Sequence, residues 1–352
     1  MKKYYTRACN FYYGSTSKDL VKKKLTLPLC GNKDISFDKI EIYTRENTKK
    51  VSTKIISIKQ INNQNLNLKK KIKKDIYKIT KVRNYFNKPL IMGILNMTPD
   101  SFSDGGKYNQ ETKALKHISL MAKNGADIID VGGESTRPGS KTVDPTIEWN
   151  RVKTIIKIFK KKYPKLLLSV DTRKSEVMEK SIKHKADIIN DVSSFNFDKQ
   201  SKKKIENFDV WKVIHHMQGT PATMQINPKY NNVLLDVYDF FENKILNQNK
   251  LKKSFNKILL DPGIGFGKNL NHNLILISKI SLFHSLGFPI LIGTSKKKFI
   301  NQISKKFDSK ERTGGTISSI IFALTQGVQL FRVHNINEVK QSILVYKKLL
   351  DQ

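Results

Sequence analysis

Apolar residues fall along this chain in two rhythms. From Pro89 onward, short apolar runs recur, each followed by a polar loop and then a longer stretch with helical spacing. The runs are Leu90–Leu95, Asp127–Val131, Leu166–Val170, Asp187–Ile189, Val210–Ile214, Ile258–Leu260, Pro289–Ile292 and Val328–Val333. Runs this short and this apolar predict strands covered on both faces, as in a parallel sheet. Between them Ile147, Val152, Ile155, Ile156 and Phe159 mark a helix, with Asp144 as its cap and Pro145 at its first position. Eight strand–helix units predict a (β/α)8 TIM barrel. An open doubly wound sheet would carry fewer strands and a G-x-G-x-x-G after the first, and none follows Leu95.

Residues 1–86 keep a different rhythm. Phe37–Tyr43 and Val51–Ile61 partly alternate and predict strands. Leu68, Ile72, Ile76 and Ile79 fall at helical spacing in a lysine-rich stretch, and Asn62–Lys74 is a candidate linker. We therefore divide the chain into a small N-terminal α+β extension, 1–86, of no assigned role, and a barrel, 87–352.

In such barrels the chemistry sits on loops after the carboxyl ends of the strands. The polar clusters obey that rule: NMTPDSFSDGG, GGESTRPGS, DTRK, NDVSSF, HHMQGTP, DPGIGFGK, GTSKKK and RVHN follow the eight runs in turn. Each has a plainer reading. Asp171 and Asp261 suit helix caps, Glu134 suits a turn, and His334 suits a structural role. Their joint position at one end of the strands favours a site. Asp171, Asp261 and Asn190 can read a flat heterocycle with adjacent N–H and NH2 donors, because a carboxylate accepts two parallel bonds. Lys297 can donate to a ring carbonyl. Arg137, Arg332 and His334 can hold a phosphate or diphosphate at the rim, helped by the helix that follows Lys297. The amide and carboxylates around Asn96 suit Mg2+.

The eight clusters together resemble those of dihydropteroate synthase, in the pterin-binding barrel family. GILNMTPDSFSDGG and GADIIDVGGESTRPGS match its two signatures, and the later motifs follow in family order over Pro89 to the C-terminus. The resemblance implies condensation of 6-hydroxymethyl-7,8-dihydropterin diphosphate with 4-aminobenzoate to 7,8-dihydropteroate and diphosphate, with Mg2+ as cofactor. It implies pterin contacts from Asp171, Asn190, Asp261 and Lys297, with Asp130 near the reacting end and Met217 and Phe266 as pocket walls. It places Asn96 at the metal, Arg332, His334 and Arg137 at the diphosphate, and Phe102, Thr136 and Pro138 around the aminobenzoate. Asp171, Lys297, Asp104, Arg332 and His334 form the expected catalytic set. Where the family usually reads Ser-Arg-Lys-Ser, this chain has Ser295-Lys296-Lys297-Lys298, so a lysine at 298 faces the aminobenzoate carboxylate. Sulfonamides are the expected competitive inhibitors and a homodimer the expected assembly. Two rivals stand beside this reading: a methyltetrahydrofolate-binding methyltransferase on the same barrel, which needs no diphosphate clamp, and a basic RNA-binding protein.

The net charge of +35 over 352 residues raises that last rival. The lysines are spread along the chain and arginine is sparse, as composition drift would produce, so no specific nucleic-acid partner is expected. A positive field still speeds capture of anionic substrates. Two cysteines, Cys9 and Cys30, fit neither a zinc site nor a disulfide framework. The start MKKYYTRACNFYYG lacks the apolar core of a signal peptide. The most apolar region, 274–292, is broken by Lys279, His284 and Pro289, so no membrane span is expected. The expected location is the cytoplasm.

Overall fold

A computed structural model of the chain describes residues 2–47, 50–83, 85–98, 107–135, 139–249, 257–305 and 308–351. Its first part is an antiparallel sheet of β1 (Lys3–Tyr13), β2 (Leu27–Leu29), β3 (Asn32–Arg45) and β4 (Val51–Ser57), with α1 (Gly14–Lys22) after β1 and α2 (Leu66–Thr80) after the sheet. The long β3 is central: β1 lies along one edge, and β2 and β4 share the other. Two expectations are corrected here. The alternation from Val51 ends at Ser57, where Ser57 and Gln60 form a capping box and Ile58–Asn63 turn into a 3-10 helix. Asn62–Lys74 is no linker, since Asn65 accepts from the Leu68 amide and caps α2. Leu68, Ile72 and Ile79 of α2 are buried with Ala8, Leu29, Phe37, Ile40 and Ile42, which forms a small core of its own.

Eight parallel strands follow: β5 (Leu90–Asn96), β6 (Ile128–Gly132), β7 (Leu167–Asp171), β8 (Ile188–Asp191), β9 (Trp211–His215), β10 (Ile258–Asp261), β11 (Leu291–Ile292) and β12 (Leu330–Val333). They run in the order β10-β9-β8-β7-β6-β5-β12-β11, and a parallel bridge between Leu260 and Ile290 closes the ring. Each predicted run overlaps one of these strands, and six of the strands run one or two residues further. The intervening helices are α3 (Lys107–Lys123), α4 (Pro145–Lys162), α5 (Ser175–Lys183), α6 (Ser201–Ile205), α7 (Val233–Asn249), α8 (Leu270–Ser278), α9 (Lys298–Ser304), α10 (Thr313–Thr325) and α11 (Ile336–Leu350). Asp144 caps α4 by accepting from the Thr146 amide at 2.8 Å, with Pro145 at its first position.

Strand alternation divides the lumen into an apolar bottom and a polar top. Leu90, Met92, Ile128, Ile188, Val213, Leu259, Leu291 and Leu330 pack together inside, with Phe86 among them at the amino end. Two residues further along the same strands come Asp130, Asn190, His215, Asp261 and Arg332. A period of two keeps these on the same inward face. The outward faces pack under the helices in a second, larger core that also takes in Tyr5 and Tyr43 of the N-terminal sheet. Truncating the lumen residue Leu259 to Ala is therefore expected to cost about 2–5 kcal/mol. Ile55→Ala on β4, where the side chain is 59% exposed, is expected to cost about 0.5 kcal/mol or less. Denaturant midpoints of the two variants check this; equal losses would contradict the layering.

Candidate active site

The strand register sets Asn96, Gly132, Asp171 and Asn190 in one row across β5 to β8, with Asp261 beside His215 across β9 and β10. All of them lie at or within one residue of strand ends at the same side of the barrel. Asp130, wholly buried one step lower, gathers three donors. Its Oδ1 accepts from Ser169 Oγ at 2.5 Å, and its Oδ2 accepts from Asn190 Nδ2 at 3.1 Å and Arg332 Nε at 2.7 Å. Arg332 turns its Nη2 to Asp171 Oδ2 at 2.9 Å. One guanidinium thus bridges two carboxylates. Arg332 was expected at the rim beside His334; its bonds to both aspartates place it deep. The plain readings of Asp171 and Asp261 as caps fail, since Lys174 and Asn269 hold the N-terminal positions of α5 and α8. Glu134 does fit its plainer reading: it accepts from the Val143 amide and pairs with Arg173 and Lys174.

The electrostatics follow from crowding charge out of water. Burial raises the Asp171 carboxyl well above its ordinary range, and the neighbouring Asp130 raises it further against the pull of Arg332. Burial pushes Asp261 up to about 6, against its bond from the Gly263 amide and the charge of Lys297. Lys297 is pressed down to about 8 by burial and by Arg332. Its ammonium lies 4.1 Å from the centre of the Phe266 ring, a cation–π contact, and the His215 ring meets Phe266 edge-on at 4.6 Å.

At the lip, His334 is exposed just past β12, and Ser295 Oγ accepts from its backbone amide at 3.2 Å. The Ser295 hydroxyl also shares a hydrogen bond with His334 Nδ1 at 3.0 Å, in a direction set by the ring tautomer. Lys298 is exposed at the first position of α9, and Met217 is half-buried two residues beyond β9. Phe102, Asp104, Thr136, Arg137 and Pro138 lie outside the described residues. Ser169, His215 and Ser295 were not singled out from sequence. Counting back two from Asp171, or forward two from the buried Val213, finds the first two; Ser295 declares itself only through its bonds to His334.

Among the described residues no three His, Cys, Asp or Glu side chains come together to hold a metal. Mg2+ usually keeps its waters and takes substrate phosphates with one or two protein oxygens. The single amide of Asn96, half-buried at the end of β5, fits that habit.

The cup therefore offers acceptors for a flat ring's N–H edge, a cation for its carbonyl, and cations and a histidine for an anion. Comparison with known proteins agrees. The family described as "Pterin binding enzyme" matches residues 92–334. Dihydropteroate synthase of Escherichia coli K12 is 41% identical over 262 residues, 74% of this chain and 92% of its own. The Yersinia pestis dihydropteroate synthase, solved with a sulfonamide drug, superposes with a TM-score of 0.71 at 36% identity, covering 76% of this chain and 96% of that one. The Xanthomonas albilineans enzyme, solved with 4-aminobenzoic acid, gives 0.70 at 33%, covering 75% and 94%. Neither the corrinoid-linked methyltransferase nor the RNA-binding reading is needed: the chain belongs to the dihydropteroate synthases of the pterin-binding enzyme family.

Proposed function

We propose that the cup performs the synthase reaction with the following division of labour, supported above all by the Asp130–Arg332–Asp171 bridge lying beside Asn190, Asp261 and Lys297. Asp261 accepts from the paired N–H and NH2 of the pterin edge, Asn190 adds a further contact, and Lys297 donates to the ring carbonyl. Phe266 and Met217 wall the ring. The C–O bond to the diphosphate breaks and its electron pair leaves with the diphosphate, while the pterin nitrogens spread the positive charge left on the methylene carbon. Asp171 stands by that cation. A carboxyl so depleted of water gains most from a positive neighbour just when the charge develops, which favours the transition state over the ground state.

Arg332 and His334 stabilise the leaving group, and Arg137 is assigned to the same task. Asn96 would hold Mg2+, which neutralises diphosphate charge when bound. The arylamine nitrogen then attacks the methylene and gives up a proton. No enzyme nucleophile is required. Asp104 is assigned to the catalytic set, and Phe102, Thr136, Pro138 and Lys298 to the aminobenzoate side, where sulfonamides would compete. The reading extends to a cytoplasmic homodimer with the synthase in 87–352 and an N-terminal extension of no assigned role in 1–86. Cys9 and Cys30 are free thiols, and among the described residues no helix is long and apolar enough to cross a membrane.

Dihydropteroate formed from the pterin diphosphate, 4-aminobenzoate and Mg2+ is measured by mass spectrometry. Asp261→Ala and Lys297→Ala are each expected to lose about 10²-fold or more in kcat/KM; turnover like wild type in both would refute the residue assignment. The pH profile follows from the same pair. Asp261 must be ionised, so its contribution is present above about 6 and lost as pH falls through that value. Lys297 must be protonated, so its contribution is lost as pH rises through about 8. A bell-shaped kcat/KM for the pterin substrate is expected between these limits, and a flat profile from pH 5 to 9 would contradict it. At the lip, Lys298→Ser is expected to change the KM for 4-aminobenzoate and the inhibition constant of a sulfonamide while leaving the pterin KM alone. Unchanged constants would remove Lys298 from the aminobenzoate side.

A further inference from the structure

Lys268 carries a buried ammonium that the reaction derived above does not use. The residue is 3% exposed. Its Nζ donates to His216 Nδ1 at 2.9 Å, to the His216 carbonyl at 3.3 Å and to the Phe266 carbonyl at 2.9 Å. Three N–H bonds thus meet three acceptors, none of them a carboxylate, and His216 must present a lone pair at Nδ1. An apolar side chain would fill such a place without a desolvation cost. Burial presses the ammonium down to about 7, with Asp261 opposing.

Its position gives the charge a purpose. The loops after β9 and β10 touch backbone to backbone there. Gly263, at φ +66°, has no space for a side chain: a Cβ would fall 1.9 Å from the His216 carbonyl oxygen. Gly267, at φ +61°, also comes close to Gln218, where a Cβ would lie 2.7 Å from its carbonyl oxygen. This seam carries both walls of the heterocycle reader. The Gly263 amide donates to Asp261 Oδ1 at 2.7 Å, and the Phe266 ring supports the Lys297 ammonium.

We infer that Lys268 is a positioning residue for the synthase reaction: it fastens the loop after β10 to the loop after β9 and adds its positive charge to those acting on Asp261, so that Asp261 more readily meets the pterin as a carboxylate. The inference rests on the assignment of Asp261 to the pterin edge. The charges acting on Asp261 are Lys297, Arg332 and Lys268, with His215 alongside in the register. Lys268 itself is faced by Asp261 and Lys297 and touches His216, and its charge also reaches His215 and His272. Removing it takes away one of the cations that hold Asp261 ionised, so the Asp261 pKa rises and the acid limb of activity moves to higher pH.

The experiment compares kcat/KM for the pterin diphosphate between pH 5 and 9 in wild type, Lys268→Met, Lys268→Arg and Asp261→Ala, each checked for folding by circular dichroism. Lys268→Met is expected to raise the pterin KM about tenfold and shift the acid limb up by about one pH unit, with the aminobenzoate KM within about twofold of wild type. Lys268→Arg, which keeps the charge, is expected to keep the limb. A folded Lys268→Met whose limb superposes on wild type overturns the inference, because a merely structural lysine would lower stability without moving the limb. Should the methionine variant not fold, Lys268→Gln replaces it, and a limb that stays with Gln or moves with Arg has the same force. If Asp261→Ala leaves the pterin KM unchanged, the site reading fails. If Asp261→Ala is impaired and Lys268→Met is not, only the role of Lys268 fails.

Discussion

The cup depends on one guanidinium. Asp130 and Asp171 lie close together in the lumen of a closed barrel. Arg332 answers both, through Nε to Asp130 and Nη2 to Asp171. Breaking such a buried arrangement by deleting the cation leaves charge uncompensated, at a cost of several kcal/mol. Ser169 and Asn190 complete Asp130, which fixes that carboxylate from three sides. Asp171 has fewer partners and carries the larger consequence, a carboxyl raised by burial and by its neighbour. The asymmetry lies in their partners: Asp130 accepts from Ser169, Asn190 and Arg332, whereas Asp171 is held by Arg332.

Much of this was legible because two periodicities coincide. Parallel strands buried on both faces read as apolar runs, and the first inward position past the apolar layer reads as a polar residue. Asp130, Asn190, Asp261 and Arg332 are each two residues beyond a packed lumen residue. The depth of Arg332 was not legible: the pair Arg332-x-His334 fixes a shared face but not how far the longer side chain reaches back. Nor was β1. Its burial runs in pairs, Tyr5-Thr6 and Ala8-Cys9, rather than alternating. The reason is that one face of the sheet meets the small core beneath α2 while the other meets the barrel, so both faces select buried residues and the alternation that marks a half-exposed strand disappears.

That double coverage also explains how the N-terminal unit stays attached. Tyr5 stacks edge-on against Tyr238 of α7 at 5.1 Å and joins the large core with Tyr43. Around this contact Lys3 pairs with Asp239 and Glu242, and Arg45 with Asp236 and Asp239. Partly exposed pairs of this kind contribute little each, so the aromatic burial supplies most of the attachment and the charges fix its orientation. The sheet meets α7 through Tyr5, packs on the 3-10 turn at Ile280–Leu286, and reaches α10 through Tyr13, whose hydroxyl donates to the Thr325 carbonyl at 3.1 Å.

The lysine-rich composition can now be weighed at a place where it meets chemistry. Lys296, Lys297 and Lys298 are identical in sequence and unlike in structure. Lys296 takes a left-handed backbone at φ 58°, its amide held by Thr316 Oγ1 and its carbonyl by Arg312. Its backbone therefore does the fixing, and the side chain is open to replacement. Lys297 lies over Phe266 and exchanges charge effects with Asp261, Asp171 and Arg332, so a different cation length would misplace it. Lys298 is exposed at the start of a seven-residue helix, where almost any polar residue suits the fold. Drift toward lysine thus meets little resistance from folding at 298, a left-handed backbone at 296, and the Phe266 contact in the lumen at 297. A run of equal residues in this loop is three separate decisions, taken by backbone, lumen and solvent in turn.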